Sequence, residues 1–268
     1  MKKRLLITSI VMMLVVAVAL STATYAWFTS ATEVTASSIT MTAGTSSSSA
    51  LGIAWAPSAG TPSTPAFNNG YGTTITAAAP SAATPGFQPA APTALGNSEP
   101  EFYTAFIDAQ GKFKSTPDTQ TPVYRFNDGA QSPSNLIHVA NLAASGSVNV
   151  NCTAEITGTN NNDGAALIRI AIYEVTTVTE PSPATTYTYK GLLGASAGSS
   201  NTAVGTITAT NSASALLTES TTTSVSLGGI AAQTEKAYAV YVWLDGATFD
   251  EAYSGTSASI ILKFATAA

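Results

Sequence analysis

The stretch SVNVNCTAEI, residues 147–156, decides the fold class. Its apolar residues occupy every second position, so Val148, Val150 and Cys152 share one face and polar residues share the other. This alternation is typical of a β-strand that buries one face against a core. A second stretch, AYAVYVWL at 237–244, is apolar on both faces and predicts a central strand.

The same alternation recurs at Ala166–Val175 and Ser259–Ala265, and no long segment has the period of an amphipathic helix. Turn signals punctuate the chain: NNNDG at 160–164, LGG at 227–229, LDG at 244–246 and YSG at 253–255. These features predict an all-β protein, a jelly-roll-like β-sandwich with an extended N-terminal segment. Weaker strand candidates lie at 51–56, 101–107, 122–127, 185–190, 203–210 and 222–227.

Residues 57–98 interrupt this pattern, because they are rich in Pro, Ala, Ser, Thr and Gly and carry no charge before Glu99. Prolines exclude a central strand, so we expect an irregular surface insertion with one strand near Tyr71–Ile75. The alternative is a linker between two domains. The piece that precedes the insertion is too short for a domain, which favours one β-sandwich over 45–268.

Charged residues make up only 9% of the 268 residues, far below the roughly 25% of ordinary soluble domains. Ten Lys and Arg against 15 Asp and Glu give a net charge of −5, which argues against a nucleic-acid partner. One His and one Cys exclude a His/Cys zinc site and an internal disulfide framework. No nucleophile motif, phosphate loop or dinucleotide fingerprint is present, so we predict a non-enzymatic protein with no catalytic residues.

The N-terminus has the layout of a secretory signal peptide over residues 1–26. Lys2, Lys3 and Arg4 precede the apolar run 5–20, and small residues lead to a cut between Ala26 and Trp27. The predicted protein is therefore secreted and extracellular, with a signal peptidase as its processing partner. It would meet the membrane only through the uncleaved segment. The alternative is a retained anchor that extends to Phe28.

The junction TYAWFTSATEV, residues 24–34, resembles that of the TasA/camelysin superfamily, whose precursors are cut by a SipW-type signal peptidase. Tyr25, Ala26 and Phe28 carry the resemblance. The resemblance covers both ends of the chain. After the junction, a short polar stretch leads into a strand, SSITMTAG at 37–44. Two C-terminal segments are similar to the last two core strands of such proteins. Those segments are YVWLDG at 241–246 and SIILKFAT at 259–266.

The resemblance implies a jelly-roll subunit of extracellular filaments, similar to archaeal bundling pilins, in which the N-terminal segment of one copy completes the sheet of the next. The implied partner is the chain itself in a homopolymer. The donor segment would be 27–44, anchored by Trp27, Phe28, Val34, Ile39 and Met41. Metalloprotease activity, described for camelysins, does not transfer because the chain has no HExxH.

Each of these anchors has another interpretation. Trp27 and Phe28 fit membrane-interface aromatics at the end of an uncleaved span. Ile39 and Met41 fit a first strand that pairs within its own subunit.

Two other functions compete. A type IV pilin-like subunit would retain its N-terminal helix, but such pilins are usually cut at a Gly with a Glu directly after it, and no Gly or Glu precedes Glu33 here. A monomeric adhesin or carbohydrate-binding module would use exposed aromatic residues. Those available are Trp55, Tyr71, Tyr187 and Tyr189.

Four further features of the sequence bear on modification, metal binding and the core. Asn151 begins an Asn-Cys-Thr triplet, the N-glycosylation pattern. Asp245, Asp250 and Glu251 form a carboxylate cluster in a predicted loop, a weak calcium signal and the only cofactor indication. Cys152 is expected to be a small buried residue, and His138 a structural one.

Overall fold

The computed structural model describes Met12 and residues 35–43, 51–55, 70–77, 89–104, 123–126, 136–158, 167–178, 184–194, 222–246 and 257–267. In this part of the chain, thirteen strands form two sheets packed face to face, and the all-β sandwich prediction is confirmed. In chain order they are β1 (Thr35–Ala43), β2 (Leu51–Ala54), β3 (Thr74–Thr76), β4 (Pro89–Pro92), β5 (Phe102–Tyr103), β6 (Tyr124–Arg125), β7 (Ile137–Asn141), β8 (Ser147–Gly158), β9 (Ile168–Val178), β10 (Ala184–Gly194), β11 (Ser224–Ala231), β12 (Thr234–Asp245) and β13 (Ser257–Thr266). Among the described residues, no helix is long and apolar enough to cross a membrane.

The first sheet has the strand order β11-β8-β13-β1-β3, and the second contains the other eight strands. At the centre of the second sheet, β12 pairs with β9 along one edge. Its other edge is shared by β7, β6 and β4 in succession. The prediction of a central strand at 237–244 is therefore confirmed, and the last eight residues of β12 are all buried.

Alternation along the strands builds the core between the sheets. On β9, Ile168, Ile170 and Ile172 point inward and join the inter-sheet core, whereas Ala171 and Tyr173 belong to a cluster on the opposite face. The predicted faces of β8 are confirmed in the same way, because Val150 and Cys152 are fully buried. Strand propensity and burial thus agree along these elements.

A second apolar cluster lies on the outer face of the second sheet. Segments 89–104 and 123–126 bring Ala90, Phe102 and Val123 against the outward side chains of β9 and β12. Phe102 packs on Trp243 with ring centroids 5.0 Å apart. This cluster explains why 237–244 is apolar on both faces, since each face of β12 packs into its own apolar cluster.

The expectation of an irregular surface insertion at 57–98 needs correction for the part that is described. The segment contributes two short strands, and Ala90 and Ala91 of β4 are almost completely buried. β4 can lie in the sheet despite Pro89 because this proline is the first residue of the strand, a position where its missing N–H is tolerated. The predicted strand near Tyr71–Ile75 is present as β3.

The predicted turn at 227–229 is also wrong, because β11 continues through it. The register against β8 shifts between Ser226 and Gly228, which marks a β-bulge. Gly228 has a φ of +83°, a conformation that glycine adopts without strain. The glycines therefore bend a strand and do not end it. The strand candidate at 203–210 and the turns at 160–164 and 253–255 lie outside the described residues.

Candidate functional site: the slot of the first strand

Strand β1 occupies a slot between β13 and β3. It runs parallel to the last strand of the chain, with Thr35 opposite Ser257 and Ala43 opposite Phe264. On its other edge it pairs antiparallel with β3 over Thr40–Thr42. The slot therefore brings the N-terminal strand beside the C-terminal one.

Apolar side chains line the slot and make β1 part of the core. Met41 is completely buried and stands opposite Leu262 of β13 and Ile75 of β3. Ala43 is also buried, next to the fully buried Phe264 in register. Full burial of a side chain such as Met41 contributes about 1.5–3 kcal/mol, so β1 adds substantially to the stability of the sandwich.

Along the chain, β1 is joined to β2, the next of the described strands. It is followed by residues 44–50, GTSSSSA, which lead to β2. β3 covers the second half of β1, and in the described part of the chain no strand pairs with the outer edge of 35–39. Withdrawal of β1 from the slot would rearrange this connection and expose Leu262 and Ile75.

The predicted donor segment is described only in its second half. Ala26, Trp27, Phe28 and Val34 lie outside the described residues. Ile39 stands opposite Ile260 of β13 in the same chain, and Met41 is buried there, as in the interpretation of a first strand within its own subunit. Insertion into another copy stays a prediction, because a single chain tests only the pairing in cis.

A second constellation lies on the outer face of the other sheet. The Tyr241 hydroxyl donates to Glu99 Oε1 at 2.9 Å, and Arg125 Nη1 lies 3.8 Å from the same oxygen. Burial and the nearby Glu99 carboxylate raise the pKa of Tyr187. Burial raises the pKa of Tyr241, so this phenol stays a neutral donor. Sequence reasoning named Tyr187 but missed Glu99 and Arg125, which have no local pattern and lie far from Tyr241 in the chain.

The carboxylate cluster predicted as a weak calcium site needs correction at Asp245. This residue ends strand β12 and is buried, with Oδ2 2.9 Å from Arg169 Nη2. Its charge is thus neutralised by an arginine. Asp250 and Glu251 lie outside the described residues, and within the described ranges no three His, Cys, Asp or Glu side chains group as metal ligands.

The other three residues singled out in the sequence, Asn151, Cys152 and His138, lie on strands of the sandwich. Asn151 is half-buried on β8, and its modification stays a prediction. The Cys152 thiol is buried, and burial raises its pKa, which disfavours the reactive thiolate. The ring of His138, on β7, lies beside Glu235 of β12 with Nδ1 3.3 Å from Oε1.

No protein-family model matches this chain, and a search of curated proteins found no match.

Proposed function

We propose that this protein is a secreted structural subunit that assembles into extracellular filaments by exchange of β1 between copies. The observation that supports it most directly is the slot itself. An N-terminal strand, linked to the next strand by seven small residues, supplies a buried anchor at Met41. The signal-peptide layout of residues 1–26 adds the route to the outside of the cell.

Exchange should cost little free energy, because β1 would make the same contacts with a neighbouring copy as it makes within its own chain. Eight residues of β1 pair with β13, and a β1 from a neighbour would make the same backbone hydrogen bonds and bury the same side chains. Only the path of residues 44–50 would change. This is the logic of domain swapping, and a head-to-tail exchange that does not close on itself extends into a fibre.

β1 can fill the slot of its own chain or the slot of a neighbouring copy. Signal cleavage would affect this choice. A strand whose N-terminus is tethered to the membrane is less free to reach a neighbouring copy. Cleavage between Ala26 and Trp27 would release it, so processing would time assembly. Trp27 and Phe28 would then add apolar anchors to the part of the segment that precedes β1.

A disulfide between β1 and β3 tests the proposal. Ala43 donates its N–H to the Thr73 carbonyl at 2.8 Å, so the adjacent pair Thr42 and Thr74 is a non-hydrogen-bonded pair of the antiparallel ladder. Cα atoms in such pairs are about 4.5 Å apart, which suits a disulfide. Thr42 is half-buried and Thr74 is exposed, whereas the native Cys152 is buried.

The double variant Thr42→Cys/Thr74→Cys should be expressed as the full precursor, and its secreted fibres oxidised and run on a non-reducing denaturing gel. Exchange predicts a ladder of covalent multimers, because the thiol introduced on β1 of one copy then lies beside the thiol introduced on β3 of the next. The matched control Thr153→Cys/Ser224→Cys joins β8 to β11 and should give only cross-linked monomer. Fibres whose Thr42→Cys/Thr74→Cys subunits run as monomers would contradict the proposal, as would the absence of fibres.

A further inference from the structure

We propose that the outer face of the second sheet carries a binding site for neutral pyranose sugars. The site is formed by the tyrosine platform, defined as Tyr173, Tyr187, Tyr189 and Tyr241, together with Glu99 and Arg125. It lies on the sheet opposite the β1 slot and is independent of filament assembly.

The four rings of the platform contact one another across three strands, and two of them reach solvent. The ring of Tyr173 on β9 lies 5.4 Å from that of Tyr189 and 6.3 Å from that of Tyr187, both on β10. On its other side it meets Tyr241 of β12 at 5.8 Å with an interplanar angle of 86°. Tyr173 and Tyr241 are fully buried and support the platform, whereas Tyr187 and Tyr189 keep part of their surface in solvent.

Polar groups converge beside these half-exposed rings. Glu99 Oε1 accepts from the Tyr241 hydroxyl at 2.9 Å and lies 3.8 Å from Arg125 Nη1. The Arg125 guanidinium is held over the Tyr241 ring, 5.6 Å from its centroid. The Glu99 side chain is 53% exposed, so its carboxylate remains open to an external donor. A small set of oriented polar groups next to aromatic surface is the usual composition of a ligand site.

The charge balance selects the class of ligand. Glu99 and Arg125 neutralise one another, so the site presents an acceptor and a donor without net charge. Such a pair matches adjacent hydroxyl groups, one of which donates to the carboxylate while the other accepts from the guanidinium. The apolar C–H face of a pyranose ring packs on tyrosine. A uronic or sialic acid would instead place its carboxylate next to Glu99 and be disfavoured.

Isothermal titration calorimetry on the full secreted chain tests the site with cellohexaose, mannohexaose and chitohexaose as neutral probes and hexagalacturonic acid as the anionic one. We expect saturable binding of at least one neutral probe and none of the acid. Tyr187→Ala removes a half-exposed ring and should weaken that binding at least about ten-fold. Glu99→Gln keeps the shape, removes the charge and should weaken it similarly.

Glu155→Gln is the matched control, because Glu155 is 56% exposed and also pairs with a cation, Lys263, but lies on the first sheet. Its affinity should equal that of the wild type, and circular dichroism should show that every variant is folded. The proposal is overturned if no neutral probe binds the wild-type chain, if only the acid binds, or if Glu99→Gln and Tyr187→Ala both bind as tightly as Glu155→Gln.

Discussion

His138 and Glu235 lie side by side on adjacent strands, His138 buried and Glu235 half-buried. Burial lowers the pKa of His138 from 6.5 to about 4, since the ring loses the water that would stabilise its charged form. Burial raises the pKa of the Glu235 carboxyl for the same reason. Both groups therefore disfavour their charged forms, and the two have opposite effects on pH-dependent stability.

The His138 shift predicts a loss of stability in mild acid. The unfolded chain binds a proton at His138 below pH 6.5 and the folded chain only near pH 4, so the free energy of unfolding falls as the pH drops through this window. The shift corresponds to about 3 kcal/mol. Urea unfolding at pH 7 and pH 4.5 should show a larger loss in the wild type than in His138→Gln. Equal losses would assign the acid sensitivity to other groups.

Glu235 moderates this effect. Its raised pKa means that the folded chain binds a proton more readily than the unfolded chain, so ionisation at Glu235 costs stability above that pKa. Protonation as the pH falls removes that cost. The His138→Gln comparison therefore measures the histidine together with its contact to Glu235.

At the scale of elements, strand β2 depends on a close approach of the chain at Gly52. The segment before β3 folds over β2, where Ile53 and Gly72 exchange backbone hydrogen bonds of 2.9 and 3.0 Å. A Cβ at Gly52 would lie 2.5 Å from Cβ of Tyr71 and 2.9 Å from Cδ1 of Leu142. The glycine thus permits the contact that joins β2 to the strand pair β3 and β1.

Gly52→Ala should therefore destabilise the fold by about 1–3 kcal/mol through overpacking. The matched control is Gly96→Ala, because a Cβ there meets nothing within 4 Å. Thermal unfolding of both variants provides the measurement. A Gly52→Ala protein as stable as Gly96→Ala would show that the segment around Tyr71 does not press on β2.

For the whole molecule, the decisive feature is that β1 completes the core from a position next to the C-terminal strand. Thr222, just before β11, donates its N–H to the Leu192 carbonyl of β10 at 2.9 Å and closes one side of the sandwich. On the other side, β1, β3 and β2 join the two sheets through Ala43, Thr73 and Gly72. Removal of β1 would open that side and its apolar interior.

Met41→Ala should lower the free energy of unfolding of the monomer by about 2–5 kcal/mol, because it leaves a cavity between Leu262 and Ile75. Met41→Leu, which conserves volume, should cost less than about 1.5 kcal/mol. Denaturant titration of both gives the comparison. If Met41→Ala is as stable as Met41→Leu, β1 contributes little to the core, and the apolar slot loses its significance for assembly.

The sequence by itself determined the fold class and the faces of the long strands. Alternation at 147–156 and the doubly apolar run at 237–244 are local properties, and the burial of Val150, Cys152 and the second part of β12 follows from them directly. The same reasoning anticipated that Cys152 is buried, because its side of the strand is the apolar one.

The tertiary structure alone decided which strands are neighbours. Nothing in SSITMTAG indicates that β1 lies parallel to β13, and nothing near Glu99 indicates that it meets Tyr241, 142 positions away. The glycines at 227–229 suggested a turn until pairing with β8 kept the strand continuous. The physical reason is that alternation reports only which face a residue presents, whereas partners are selected by packing between segments that are distant in the chain.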